Sequence, residues 1–218
     1  MGRVFIPEIQ NLNEEEAEKL GELIPLVPSS NCLGLEPDTL RQLTTKTLST
    51  YTDGDFLLLD GRSTHCAVAA SVLAVQRNSV DLLVWDKVLN SYLTRPLAFL
   101  DIPSPKAVMS QPRAFIVNDL LETSKKLEMP TACFKTGHDP DYMNPEPLKA
   151  RMIKWLRNTQ KMDYIVMSGG KLPNTVASCI MARMHGRVNY LMYNAKSERY
   201  EHRCAFYPPL QGPGKEKT

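Results

Sequence analysis

Asp163-Tyr164-Ile165-Val166-Met167-Ser168-Gly169-Gly170-Lys171-Leu172-Pro173-Asn174-Thr175 and, 108 residues earlier, Asp55-Phe56-Leu57-Leu58-Leu59-Asp60-Gly61-Arg62-Ser63-Thr64-His65 share one grammar. An acid opens each stretch, a continuous apolar run follows, and a polar loop with glycine and a cation ends it. Uninterrupted apolar runs of this length belong to strands covered on both faces. The segments Cys66 to Gln76 and Thr175 to Met184 then read as helices, and Val80 to Trp85 and Val188 to Tyr193 as a second pair of buried strands.

Working outward, the 108-residue shift superposes 53–93 on 161–201 without a gap. Val68 and Ala69 meet Val176 and Ala177, Ala74 meets Ala182, Leu83 meets Leu191, Tyr92 meets Tyr200, and Trp85 meets Tyr193. Dropping two residues extends the match to Arg3-Val4-Phe5-Ile6 with Arg113-Ala114-Phe115-Ile116, and to Glu36-Pro37 with Glu146-Pro147. An internal repeat of this length implies one supersecondary unit used twice.

Each half alternates strands and helices. In the first, Val4 to Ile6 and Leu23 to Val27 are apolar runs, Asn13 to Leu20 is a helix with an Asn cap and an acidic first turn, and Pro37 opens another helix. The second repeats this with Phe115 to Val117, Leu120 to Leu127, Ala132 to Phe134 and Pro147 to Gln160. Tyr92 to Leu97 and Tyr200 to Phe206 each follow a polar turn and read as hairpin strands at a sheet edge. Right-handed crossovers between such elements build a mostly parallel sheet with helices on both faces. The expected fold class is therefore α/β, a tandem duplication of a Rossmann-like or flavodoxin-like three-layer unit. The prolines at 103, 105 and 112 mark the boundary, giving halves at 1–105 and 106–218, with a flexible Pro-, Gly- and Lys-rich tail at 208–218.

Composition narrows the classes of function. Of 218 residues, 43% are hydrophobic and 23% charged, which is ordinary for a folded globular chain. A net charge of only +2 offers little field for steering onto nucleic acid or an anionic membrane, so neither is an expected partner. No apolar run reaches the roughly 18 to 20 residues a bilayer demands, and 1–10 lacks the basic and apolar regions of a secretory leader. Cys32, Cys66, Cys133, Cys179 and Cys204 are odd in number and widely spaced, which fits a reducing cytoplasm better than a disulfide framework. His65, His138, His185 and His202 lack metal-ligand spacing, so neither metal nor cofactor is expected.

The loops at the carboxyl ends of the strands are where parallel sheets gather function. In Ser168-Gly169-Gly170-Lys171, two glycines let successive N–H groups approach an anion and Lys171 adds positive charge, with Asn174 and Thr175 close behind. The loop is neither a Walker A sequence nor Gly-x-Gly-x-x-Gly. In the first half Gly61 and Arg62 correspond, Arg62 being the expected phosphate contact and Ser63 or Thr64 the helix cap, although Asp60 opposes a nearby anion. His138 and Asp139 carry acid–base inventory, but an adjacent His-Asp pair is common in plain turns, and no catalytic residue is assigned.

The stretch Asp163 to Tyr193, with its Ser168-Gly169-Gly170-Lys171 loop, resembles the loop region of the CRISPR-associated Rossmann fold (CARF) sensors, and more loosely small Rossmann-like phage proteins of unassigned role. The CARF resemblance covers about thirty residues of each half, and the first half departs from it at Asp60 and in its single glycine. The duplicated strand–loop–helix unit with its cationic, glycine-bearing loops points to a non-catalytic binding protein that recognises a nucleotide or other phosphorylated ligand in a cleft between the repeats. The alternative is a structural or assembly protein, viral or otherwise, with a protein partner or homo-oligomer on the doubled surface.

Overall fold

The structure is a computed structural model that describes residues 2–9, 12–28, 35–105, 111–118, 123–136, 143–168 and 170–208. The first half runs β1 (Gly2–Ile6), α1 (Glu14–Glu18), β2 (Gly21–Pro25), α2 (Pro37–Leu48), β3 (Phe56–Leu58), α3 (Ser63–Gln76), β4 (Ser79–Asp86) and β5 (Ser91–Ala98). The second runs β6 (Ala114–Val117), a 3-10 turn (Thr123–Lys125), β7 (Thr131–Phe134), α4 (Pro145–Leu156), β8 (Tyr164–Val166), α5 (Lys171–His185), β9 (Arg187–Asn194) and β10 (Arg199–Phe206).

Two five-stranded sheets result, ordered β2-β1-β3-β4-β5 and β7-β6-β8-β9-β10. In both, the pairs are parallel except the last, which is an antiparallel hairpin. The α/β class and the Rossmann-like unit in each half are as expected from the alternation of elements. Strand alternation divides the side chains cleanly. Phe5, Leu57 and Leu82 face inward onto α3, whereas Val4, Ile6, Leu58 and Leu83 face outward, where Ala17 of α1 covers them. The outer face of the second sheet is centred on Ala114, Ile116, Val166 and Leu191.

The central helices α3 and α5 lie between the sheets. From Thr64 to Val75, α3 is buried all round, and α5 is nearly so, since an apolar helix without a polar face must be covered on every side. They cover each other and share one core that spans both halves. The two run side by side in the same direction: Lys171 meets Asp60 at one end, and Arg183 Nη1 donates to the Ala74 carbonyl at 3.1 Å near the other.

Reciprocal contacts tie the halves further. Asp38 at the start of α2 accepts from Phe206 N–H of β10, and Glu146 at the start of α4 accepts from Ala98 N–H of β5. These positions correspond under the 108-residue shift, so the contact occurs twice about an approximate twofold axis. The buried Lys149 ammonium joins the second copy, bonded to the Ala98 carbonyl and the carboxylates of Asp101 and Glu146.

Several sequence expectations move. Pro37 corresponds to Pro145, not Pro147, because both helices take proline in the first turn and the two-residue difference falls between the first two strands of each half. Only the 3-10 turn Thr123–Lys125 is seen of the helix expected at Leu120 to Leu127, of which 120–122 lie outside the described residues. The tail beyond Pro208 also lies outside them.

One polar staple recurs. Asp55 Oδ1 accepts the Arg3 N–H at 2.9 Å and Asp163 Oδ1 the Arg113 N–H at 2.9 Å, while Thr52 and Gln160 donate backbone N–H to the second oxygen of each. Burial alone would raise the Asp55 pKa, but the Arg3 guanidinium and the N–H groups of Thr52 and Arg3 outweigh it and hold it down at about 2. A carboxyl depressed from an unfolded value near 3.9 contributes about 2 kcal/mol, fully present above that value and lost as pH falls towards the folded one. Asp55→Asn is therefore expected to cost about 2 kcal/mol at pH 7 in urea titrations. The gap from the wild type should close between about pH 4 and pH 2.

Candidate functional site

The amino ends of α3 and α5 come together at the carboxyl ends of β3 and β8, which is where an α/β fold exposes backbone N–H groups. Both helices begin earlier than the sequence suggested. Lys171, Asn174 and Thr175 belong to the first turns of α5, because Pro173 is compatible with that turn rather than a loop marker. Ser63 and Thr64 are likewise the first two residues of α3 and do not cap it; the cap position is Arg62, with no side-chain cap bond.

In the first half the loop folds over a buried carboxylate. Glu8, just beyond β1, is 1% exposed. Its Oε2 accepts the Arg62 N–H at 2.9 Å, its Oε1 lies 3.4 Å from Arg62 Nε, and His65 Nδ1 stands 3.7 Å from Oε2. Gly61 crosses above Glu8 at φ +92, and a Cβ there would come within 2.8 Å of Glu8 Cβ. Arg62, the expected phosphate contact, is thus engaged by Glu8. The Cys66 thiol donates to the Asp60 carbonyl, and burial pushes its pKa up to about 12, which makes it a packing group rather than a nucleophile.

In the second half, Gly170 is the cap residue of α5 and Lys171 follows it, while Gly169 lies outside the described residues. Asn174 and Thr175 are fully buried, and Asn174 Nδ2 donates to the Ser168 carbonyl at 3.3 Å. Ser168 Oγ, Asn174 Oδ1 and Thr175 Oγ1 have no hydrogen-bond partner among the described residues. Lys135 and Thr136 are described, with Thr136 bonded to Asn118, but His138 and Asp139 lie outside the described residues.

Between the two loops is a cavity of about 670 Å³. Lys171 enters it from one half and Asp60 from the other, paired at 3.0 Å. Asp60 also accepts the Gly61 N–H at 2.8 Å and the Tyr92 hydroxyl at 3.2 Å. Burial and the Asp60 charge raise the Tyr92 phenol to about 12, so it remains a donor. Trp85 packs edge-on to Tyr92 with ring centroids 4.8 Å apart, and with Leu172 and Met143 it forms the apolar wall. Of the ten residues singled out from sequence, Gly170 and Lys171 line this space; Gly61, Arg62, Ser63, Thr64, Ser168, Asn174 and Thr175 lie at or beside the amino ends of α3 and α5 and are not among its lining residues, and Gly169 lies outside the described residues. Asp60, Trp85, Tyr92 and Glu8 were not among the ten. The Trp85/Tyr193 and Tyr92/Tyr200 matches within the repeat are the sequence signal for the two aromatics. Among the described residues, no three His, Cys, Asp or Glu side chains gather to hold a metal, and no helix is long and apolar enough to cross a membrane.

Known proteins resemble the chain mainly in fold. The family described as "Phage Pam3 gp32-like protein" matches residues 3–98. No curated protein matches the chain. The SAVED/CARF-domain containing receptor Cap4 of Acinetobacter baumannii, solved with the cyclic trinucleotide 3'3'3'-cAAA, is 11% identical with a TM-score of 0.52 over 95% of this chain and 50% of that one. Its complex with 2'3'3'-cAAA gives 10% identity and a TM-score of 0.51 over 94% and 51%. The chain thus spans about half the length of the receptor it matches, and the likeness is one of fold, in keeping with the CARF and phage-protein resemblances drawn from sequence.

Gly61 and Gly54 separate conformational strain from crowding. Both have positive φ, +92 and +90, but a Cβ at Gly54 meets open space. Gly54→Ala is expected to cost roughly 1 to 2 kcal/mol in denaturant titrations. Gly61→Ala should cost at least about 1 kcal/mol more, because the added methyl must displace Glu8.

Proposed function

We propose that the chain is a non-catalytic binding protein that holds a nucleotide-type ligand in the cleft at the amino ends of α3 and α5. The observation that carries this reading is the cavity of about 670 Å³ to which both halves contribute, with Asp60 from one and Lys171 from the other. Small-ligand sites commonly span roughly 300 to 1,000 Å³, with mostly apolar walls and a few placed polar groups. Trp85 offers a ring for a base to stack on, Lys171 offers charge to a phosphate, and Asp60 with Tyr92 offers polar partners to a base or ribose. Cyclic trinucleotides bound to the receptor of similar fold make them the first ligands to try.

Lys171 pairs with Asp60 in the cleft, and an incoming phosphate would compete with Asp60 for the ammonium. Calorimetry with 3'3'3'-cAAA, 2'3'3'-cAAA, ATP and AMP is expected to find at least one that binds. Lys171→Ala should weaken that ligand about tenfold to a hundredfold, the loss of one charge-assisted hydrogen bond. Trp85→Ala should cost about 1 to 3 kcal/mol through lost stacking. Absence of binding by all four, or binding indifferent to both substitutions, would overturn the proposal.

A further inference from the structure

The two halves treat the amino ends of their central helices differently. A buried carboxylate at the end of α3 is provided by the protein: Glu8, 1% exposed, takes the Arg62 N–H at 2.9 Å and lies against the Arg62 guanidinium and the His65 ring. Such a helix end, with a cation beside it, is where an external phosphate or carboxylate would otherwise bind. The equivalent position after β6 is Asn118, an uncharged residue that bonds Thr136 instead of the α5 end.

The chemistry on the helices follows the same division. Cys66 and Asn174 correspond, and each donates to the carbonyl of the corresponding loop residue, Cys66 to Asp60 at 3.2 Å and Asn174 to Ser168 at 3.3 Å. The architecture is therefore shared, but the first half places Asp60, Cys66 and Ala67 where the second places Ser168, Asn174 and Thr175. Those three second-half side chains carry buried oxygen atoms without a hydrogen-bond partner among the described residues, which a native interior rarely tolerates unless something else meets them.

We infer that Glu8 is the protein's own anion at the amino end of α3, so that of the two helix amino ends facing the cleft only that of α5, beside Lys171, is left to the anion of a ligand. The ligand class this selects is asymmetric, with a phosphate towards α5 and an uncharged base or sugar towards Asp60, Tyr92 and Trp85. That last step rests on the nucleotide reading of the cleft; the role of Glu8 does not.

The test is the thermal unfolding of the full chain in sodium phosphate against sodium chloride at matched ionic strength. Glu8→Ala, which removes the internal carboxylate, is expected to gain a phosphate-dependent rise in Tm of about 3 °C beyond that of the wild type at ten times its Kd. The gain should persist when Lys171→Gln is added, since the uncovered position belongs to the first half. If Glu8→Ala does not fold in chloride, phosphate should restore a cooperative transition. A Glu8→Ala chain that responds like the wild type, that loses the gain with Lys171→Gln, or that phosphate cannot refold would overturn the inference. A wild type that takes no nucleotide beside a Glu8→Ala chain that gains the phosphate response would overturn the ligand reading and leave this one standing.

Discussion

The contact between α3 and α5 is the constraint from which the rest follows. Neither helix has a polar face along its length, so each must be covered by its own sheet on one side and by the other helix on the opposite side. Half of the chain alone would leave such a helix open to water. Pairing them closes both cores at once and joins them into a single apolar cluster. Because the helices run in the same direction, their amino ends, each bearing partial positive charge, meet at one end of the molecule. Glu8 and Asp60 stand there and offset that charge from the first half.

Across the approximate twofold axis one contact between the halves is made twice, and within each half one staple recurs. Asp38 with Phe206 and Glu146 with Ala98 are the same contact made twice, and Arg3 with Asp55 is matched by Arg113 with Asp163. These groups fix strand and helix ends and have little freedom to differ. The cleft loops carry no such burden and have diverged: one is closed over a carboxylate, the other presents Lys171. A shared scaffold with unlike loops yields one lopsided cavity instead of two equivalent ones.

Much of this was legible along the chain because it is local. Apolar runs such as Phe56 to Leu59 and Tyr164 to Val166 announce buried strands, and the Ala- and Val-rich segments after them announce buried helices. Where local signals conflicted, the reading slipped. Pro173 resembled a loop residue, yet it sits in the first turn of α5, where its missing N–H costs nothing. Ser63 and Thr64 looked like caps because of their hydroxyls, while the N–H that opens α3 bonds Glu8, fifty-four residues earlier.

By itself the sequence determined the α/β class, the repeated unit, the strands and the two loops beside which a cleft would lie, since periodicity, propensity and apolar run length act over a few residues. Only the tertiary structure decided that Asp60 of one loop meets Lys171 of the other, that Trp85 and Tyr92 wall the same space, and that Glu8 lies beneath Gly61. Each of those is a meeting between elements dozens of residues apart. It is set by how two apolar helices pack rather than by any pattern a short stretch can carry.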